Sequence, residues 1–371
     1  MKICIIQGAF LPVPALLGGA VEKMWFRLGQ EFSNLGHQVV HISRLYGDLP
    51  DRETLDGVIH KRVQGFTQPK NLLVLKVYDF LYSRRACRAV PVDADIVITN
   101  TFWAPLLLSR RLRKRAYVDI QRMPKGQSKF YSQAARLRAN STPVAEAIRD
   151  ELPVTKHLQV TLVPNPLPFD PVEDLDLTQK ENRVLYCGRV HPEKGLDLLM
   201  LAAQKLPESW SLEIVGPWRV SQGGEGETYL ENLKRLAGNA RVTFHGPIFN
   251  SDKLADHYRQ AAIFVYPSIA EKGETFGLAP LEAMAWQCVP IVSDLSCFKD
   301  FVRDQCNGLI FNHRAENAAD LLSDTIRKLI EDPALRIQLA MSTRTVNVTH
   351  SPREIASQFL TSFERAVAAL T

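Results

Sequence analysis

Two carboxylates, Glu274 and Glu282, stand eight positions apart in the run Glu274-Thr275-Phe276-Gly277-Leu278-Ala279-Pro280-Leu281-Glu282. A short apolar run, 263–267, precedes them and Ala283-Met284-Ala285-Trp286 follows, so the order reads as strand, turn and helix. Pro280 suits the first turn of a helix, where its missing N–H costs nothing. Gly277 lets the turn bring its backbone close to a ligand. The N–H groups of Phe276, Gly277, Leu278 and Ala279 would then point beyond the helix start, which carries partial positive charge and attracts anions. A carboxylate on either side of an anion site suits hydroxyl-rich groups flanking a phosphate. A nucleotide sugar has that layout: ribose, diphosphate, hexose. The dipole by itself also favours an early-helix Glu, by roughly 0.3–1 kcal/mol, so the same spacing describes a plain capped helix.

A second group of residues is the loop Tyr186-Cys187-Gly188-Arg189-Val190-His191-Pro192-Glu193-Lys194-Gly195. A strand is expected to end at Gly188 and a helix to start after Gly195. Arg189 offers a planar fork and Lys194 a point charge, and the two on one loop could reach one diphosphate. Exposed loop cations that merely face solvent are the alternative; the glycine at each end of a loop leaving a strand favours the binding reading. An aspartate-metal-aspartate device is spelled by Asp93-Ala94-Asp95, but its place just before a strand reads as a helix-to-strand loop, and no metal is expected.

The elements that must position these residues alternate between β-rich runs and helical patterns. Strands are expected at 2–7, 38–43, 58–63, 95–99, 116–120 and 160–163, then at 183–187, 211–215, 241–244, 263–266, 290–292 and 309–311. Helices are expected at 20–35, 72–89, 105–113 and 143–151, then at 196–206, 228–236, 251–259, 281–286 and 317–331. Continuous apolar strands separated by helices imply parallel sheets covered on both faces. The Pro- and Asp-rich stretch 164–181 interrupts the pattern, which then restarts. Two doubly wound α/β domains facing each other across a cleft follow, with boundaries at 1–165 and 166–351 and a last helix, 352–371, returning to the first. Ligands of such sheets bind beyond the carboxyl ends of the strands.

The chain has 371 residues, enough for two ordinary domains, and 46% of them are hydrophobic. Its opening residues look like a buried strand rather than a signal peptide, and no apolar stretch is long enough to span a bilayer. The six cysteines show no C-x-x-C spacing and read as free thiols of a cytoplasmic protein. Net charge is +5 but uneven: residues 1–170 hold 24 Lys and Arg against 14 Asp and Glu, whereas 171–371 hold 21 against 26. A basic first half favours an anionic partner or surface. No helix-turn-helix, finger or basic-aromatic pattern points to nucleic acid.

Gly188-Arg189-x4-Lys194-Gly195, Phe244-His245-Gly246, Tyr266-Pro267-Ser268 and Glu274-x7-Glu282 together resemble the family-4 retaining glycosyltransferases (group 1) of the GT-B fold. Glu282-Ala283-Met284-Ala285, Val289-Pro290-Ile291-Val292-Ser293 and Asn165-Pro166 strengthen the resemblance, whose specific part covers 183–311. It implies that Arg189 and Lys194 bind the diphosphate and stabilise it as it leaves. Glu282 would hold the ribose hydroxyls, and Glu274 the donor sugar. The Thr275, Phe276, Gly277 and Leu278 backbone would lie on sugar and phosphate, with Gly188 at the loop's start. Pro247 and Ile248 would face the base, and Gly18 and Gly19 would approach the sugar-phosphate from the first domain. The implied reaction is transfer of a hexose, glucose first, from a UDP-sugar to a saccharide or lipid-linked saccharide with retained anomeric configuration. Fixed cations and a helix start can hold the leaving charge without a metal or other cofactor.

Where many relatives carry a His after a first-domain strand, this chain reads Tyr117-Val118-Asp119-Ile120-Gln121-Arg122-Met123-Pro124-Lys125. Asp119 or Gln121 would take that place, and Arg122 and Lys125 could meet an anionic acceptor. The stretch 70–88 mixes Leu72, Leu73, Leu75, Val77 and Phe80 with Lys70, Lys76, Arg84, Arg85 and Arg88, and a second basic cluster spans 110–115. Such mixing suits a peripheral contact with an anionic membrane, and then a lipid-linked acceptor. A helix buried on one side with a basic solvent face is the preferred reading. A nucleotide-sugar epimerase or hydrolase of the same fold, or a non-catalytic nucleotide-sugar sensor, would share these motifs.

Overall fold

The computed structural model describes residues 1–173 and 175–370. The chain divides into two compact units, Met1–Phe169 with His350–Thr371, and Asp170–Thr349. Among the described residues the first unit carries eight strands: β1 (Lys2–Ile6), β2 (Gln38–Leu45), β3 (Arg52–Leu55), β4 (Val58–Gln64), β5 (Ile96–Thr99), β6 (Ala116–Ile120), β7 (Arg136–Ala139) and β8 (Val160–Leu162). They form one sheet in the order β3-β4-β2-β1-β5-β6-β7-β8. All pairs are parallel except β3 with β4.

β1 shows why the apolar runs are continuous. Its alternate residues serve two cores. Ile3 and Ile5 pack with Trp25 and Phe32 of helix Ala20–Asn34 and with Phe359 and Phe363 of helix Pro352–Ala368. Cys4 and Ile6 pack with Tyr82 and Ala86 of helix Leu72–Ala89 and with Ile148 of helix Thr142–Glu151. The last helix is therefore part of the first unit's core. The Trp25 and Phe359 ring centroids lie 5.1 Å apart, those of Tyr117 and Phe363 4.8 Å, and the Tyr117 hydroxyl donates to Ser362 Oγ at 3.1 Å.

Three departures from the expected elements have identifiable physical causes. The stretch 105–113 is two short helices, Ala104–Leu107 and Arg110–Arg113. Leu108 turns inward with extended backbone and is buried, and Ser109 caps the restart by accepting from the Leu112 N–H. Strand β3, missed in the sequence, forms a hairpin with β4 through Asp56 and Gly57, both at positive φ. Strand β7 was hidden by Arg136 and Arg138, and Arg138 is wholly buried against Asp119.

The second unit carries β9 (Glu181–Cys187), β10 (Ser211–Val215), β11 (Val242–Gly246), β12 (Ala261–Tyr266), β13 (Val289–Ser293) and β14 (Leu309–Phe311). Their order is β11-β10-β9-β12-β13-β14, and every pair is parallel. The chain winds outward from β9 to β11, returns to the centre at β12, and winds outward again on the other side. The switch point lies between β9 and β12, where loops from neighbouring strands part and leave room for a ligand. Helix Pro333–Thr343, not expected from sequence, follows helix Ala318–Glu331 and restarts at Asp332, whose side chain accepts from the Leu335 N–H.

Candidate active site

The loops after β9 and β12 carry the residues that the sequence singled out in the second unit. The first loop folds its Pro192–Lys194 segment into a single tight turn, capped by His191, whose ring nitrogen accepts from the Glu193 N–H. Gly195 then adopts φ 66°, and a Cβ there would lie 2.1 Å from the Pro267 carbonyl oxygen. That contact fixes how closely the two loops approach. The Glu193 carbonyl accepts from the Ile269 N–H at 2.9 Å and from Ser268 Oγ at 3.2 Å, bolting one loop to the other.

This bolt brings Lys194 and Glu274 together although eighty residues separate them. Lys194 Nζ lies 2.7 Å from Glu274 Oε2, and both side chains are nearly buried, 7% and 10% exposed. The ammonium also sits 5.5 Å from the centroid of the Tyr266 ring. Burial raises the Tyr266 hydroxyl well above its ordinary value, with the Glu274 charge next in size, so it stays protonated.

Arg189 sits at the outer edge of the same loop, 44% exposed. Its guanidinium donates to Glu193 Oε1 at 2.6 Å and to the Gly223 carbonyl at 2.9 Å. Lys194 Nζ lies 3.9 Å from that same Glu193 oxygen. The two cations expected on a diphosphate thus converge on one carboxylate oxygen. Glu193 was not among the residues picked from sequence; its place between the two cations in Arg189-x3-Glu193-Lys194 was the available signal.

Helix Leu278–Ala285 starts three residues before the expected 281, with Gly277 at its N-cap in the left-handed region at φ 88°. A Cβ on Gly277 would meet the Phe298 ring at 2.4 Å, so the turn needs glycine for space as well as for backbone. Phe276 is buried against Phe301, while Thr275 and Leu278 are half-buried. Glu282 is half-buried on the same helix and accepts from the Tyr258 hydroxyl at 3.2 Å. It lies close to the end of β9, where its charge adds to the burial that pushes the Cys187 thiol up to about 12. Gly188 begins the loop there, and its N–H donates to the Val215 carbonyl. Pro247 and Ile248 follow β11 directly and are half-buried beside Gly246, which the Trp218 ring covers.

In the first unit Gly18 and Gly19 lie in the loop after β1, and Gly19 is the N-cap of helix Ala20–Asn34. A cavity of about 580 Å³ opens beside them, lined by Phe10, Gly19, Glu22, Asp79, Gln121, Arg122 and Tyr131 among others. Gln121 and Arg122 reach its wall; Lys125 is exposed and does not line it. Asp119 also borders the cavity, but its carboxylate is fully buried. It accepts from Trp25 Nε1 and Arg138 Nη1, both at 2.8 Å, and from Gln121 Nε2 at 2.9 Å. Its first task is therefore to hold Gln121 and Arg138 in place.

Two carboxylates in this wall were not picked from sequence. Burial raises Glu22 above its ordinary value, and raises Asp79 to about 6 against a smaller opposing effect of the Phe102 backbone. Asp79 did leave a signal, since it is the lone acid in helix Leu72–Ala89. That helix departs from the preferred sequence reading: Leu72, Leu73, Val74, Val77 and Leu81 are exposed, and only Tyr82, Ser83 and Ala86 are buried. Asp93 and Asp95 are joined to Lys2 and Arg115 at the start of β5, as a structural loop requires. Among the described residues no helix is long and apolar enough to cross a membrane.

Residues 172–346 match the family model for glycosyl transferases group 1. The second unit is a group 1 glycosyl transferase domain. Its chain is similar to the D-inositol 3-phosphate glycosyltransferase of Nocardiopsis dassonvillei, 29% identical over 233 residues covering 59% of this chain and 53% of that one. The chain thus spans about half the length of that curated relative. Among solved structures it is similar to sucrose-phosphate synthase from Thermosynechococcus elongatus, with TM-score 0.77 and 22% identity over the whole of both chains. It is also similar to Anabaena HepE in complex with UDP and glucose, with TM-score 0.70 and 16% identity over 98% of this chain and 100% of that one. At these identities the likeness is one of fold, and it gives the group 1 domain and its companion unit the GT-B fold, two parallel-sheet α/β domains.

Proposed function

We propose that this protein transfers a hexose from a UDP-sugar, with UDP-glucose as the first donor to try, to a saccharide or lipid-linked saccharide, with retention of configuration and without a metal in the transfer step. The observation that carries the reading is the buried Lys194–Glu274 pair at the switch point between β9 and β12. A buried, fixed cation at this place is suited to charge that develops on a leaving diphosphate. A protein of the same fold has been captured with UDP and glucose, which supports the choice of donor.

In this reading a diphosphate takes over from Glu193 as the partner of Arg189 and Lys194. Glu274 binds hydroxyls of the donor sugar and Glu282 those of the ribose. Thr275, Phe276, Gly277 and Leu278 present backbone to sugar and phosphate. Gly188 keeps the end of β9 open to them, Pro247 and Ile248 flank the base, and Gly18 and Gly19 line the sugar-phosphate. The leaving phosphate oxygen takes the acceptor's proton, so no separate base is needed at the anomeric carbon. Gln121 and Arg122, in the first-unit cavity with Asp119 behind them, and Lys125 outside it, serve the acceptor. The exposed apolar residues of helix Leu72–Ala89, beside Lys70 and Lys76, would rest on an anionic membrane surface.

A thermal-shift screen against UDP, GDP, ADP and their hexose conjugates, with and without EDTA, tests the donor. A ligand that binds only the folded state raises Tm by mass action. A UDP-selective rise of equal size in EDTA is expected. A GDP- or ADP-selective rise would change the donor, and no rise with any nucleotide would overturn the site.

A further inference from the structure

Away from the residues assigned to the donor, three side chains from three elements meet at the β11 edge of the second sheet. Glu213 lies mid-strand in β10, His245 is the penultimate residue of β11, and His257 belongs to helix Ser251–Gln260. One atom from each, a carboxylate oxygen and two ring nitrogens, lies within 4.8 Å of the others. His257 Nδ1 is 2.7 Å and His245 Nε2 3.4 Å from the same oxygen, Glu213 Oε2. The other oxygen, Oε1, is 3.0 Å from Arg183 Nη1. Arg183 is itself paired with Glu181 and accepted by Gln260 Oε1, so its charge is shared and its guanidinium is fixed.

The arrangement has the parts of a metal site. Tetrahedral Zn²⁺ bonded to nitrogen and oxygen at about 2.0–2.2 Å keeps its ligand atoms ~3.4 Å apart, within small side-chain rotations of the spacing seen. Two imidazoles and one carboxylate are a common protein ligand set for this ion, with a further position left to water. Arg183 would orient the carboxylate from behind, as partners of bound ligands do. Glu213 is buried, His257 half-buried and His245 exposed, so the set is anchored on one side and open on the other. We propose that Glu213, His245 and His257 bind Zn²⁺ or a similar divalent transition metal, clamping the edge strand β11 to β10 and to helix Ser251–Gln260.

None of the three ligands is among the residues assigned to the nucleotide sugar, although His245 lies two residues before Pro247, so metal binding is tested apart from the donor. The test uses the full chain, stripped with chelator and desalted, then titrated with Zn²⁺ by calorimetry and with Co²⁺ by visible absorption. Saturable binding of one equivalent is expected, with Co²⁺ d–d bands, no thiolate charge-transfer band, and a Tm that rises with Zn²⁺. His245→Gln and His257→Gln should each weaken binding roughly tenfold or more, while Cys306→Ser, at the exposed thiol, should leave it unchanged. His245 is exposed, so its variant should fold normally and decides the matter if the other does not. Absence of saturable binding in the parent protein overturns the proposal. So does unchanged binding in His245→Gln, or a thiolate band that Cys306→Ser removes.

Discussion

Replacing Lys194 by Ala removes a buried cation and leaves Glu274 without its partner. Stranding one member of a buried ion pair costs about 3 kcal/mol or more, so the single variant should lose both stability and rate. Transfer should fall by about 10²-fold or more, the effect of deleting one fixed group that meets developing charge. Adding Glu274→Gln should return much of the stability, read by urea denaturation, and none of the activity. Recovery of turnover in the double variant would remove Lys194 from the chemistry. Asp79 gives a second test at this scale. Its folded pKa of about 6 is raised above the ordinary carboxylate value of 3.8. The unfolded chain therefore releases this proton first, and stability on this account falls as pH rises from about 4 to 6. Asp79→Asn should then be more stable than the parent above pH 6, by on the order of 2–3 kcal/mol, and should show little difference at pH 3. Equal stability of the two proteins at pH 7 would show that the carboxylate is not held as described. Arg189, Lys194, Glu274 and Glu282 could be picked from residue type and spacing. Glu22 could not, because a carboxylate on a helix looks the same in sequence whether it faces water or a cavity, and Glu193 offered only its place between two cations.

At the scale of elements, helix Leu72–Ala89 is the one whose length was legible and whose surroundings were not. Its bounds follow from Asn71, which caps the Leu73 and Val74 N–H groups, and from Pro91 just beyond its end. Its apolar residues were expected to be buried, yet those of its first turns are open to solvent. Leu72→Glu with Leu73→Glu should leave Tm within about 1 kcal/mol of stability equivalent, since exposed positions contribute little. Co-sedimentation with anionic vesicles should fall strongly in that variant and fall with added salt in the parent. Vesicle binding equal in both proteins would place the contact elsewhere. Helix 105–113 failed as a single element for a different reason. Local propensity allows a continuous helix there, but burying Leu108 breaks it, and that demand comes from the core.

For the whole molecule, the return of helix Pro352–Ala368 is the decisive long-range event. Phe359 contacts Trp25, Phe32 and Tyr117, and the Arg138 guanidinium lies 5.2 Å from its ring centroid. Phe359→Ala should cost about 3–5 kcal/mol and lower Tm. Ending the chain at residue 349 should uncover the Ile3, Ile5 and Trp25 face and yield aggregated protein. A soluble, cooperatively unfolding product from that truncation would show that the first unit's core closes without the helix.

The sequence by itself determined the parts whose code is local. Apolar runs of strand length, separated by amphipathic stretches and punctuated by Gly and Pro, specify alternating strands and helices and therefore a parallel α/β fold. They also set the chemistry on offer, since Arg, Lys and Glu sit at strand-to-helix turns where backbone N–H groups are available. Tertiary structure alone decided which of these residues meet. Lys194 reaches Glu274 because β9 and β12 are neighbours, and strand order depends on how the whole sheet buries its two faces. The same holds for Asp119 with Arg138, and for Glu213 with His245 and His257. Each joins side chains from separate elements, and local periodicity says which face of an element is apolar but not which other element will cover it.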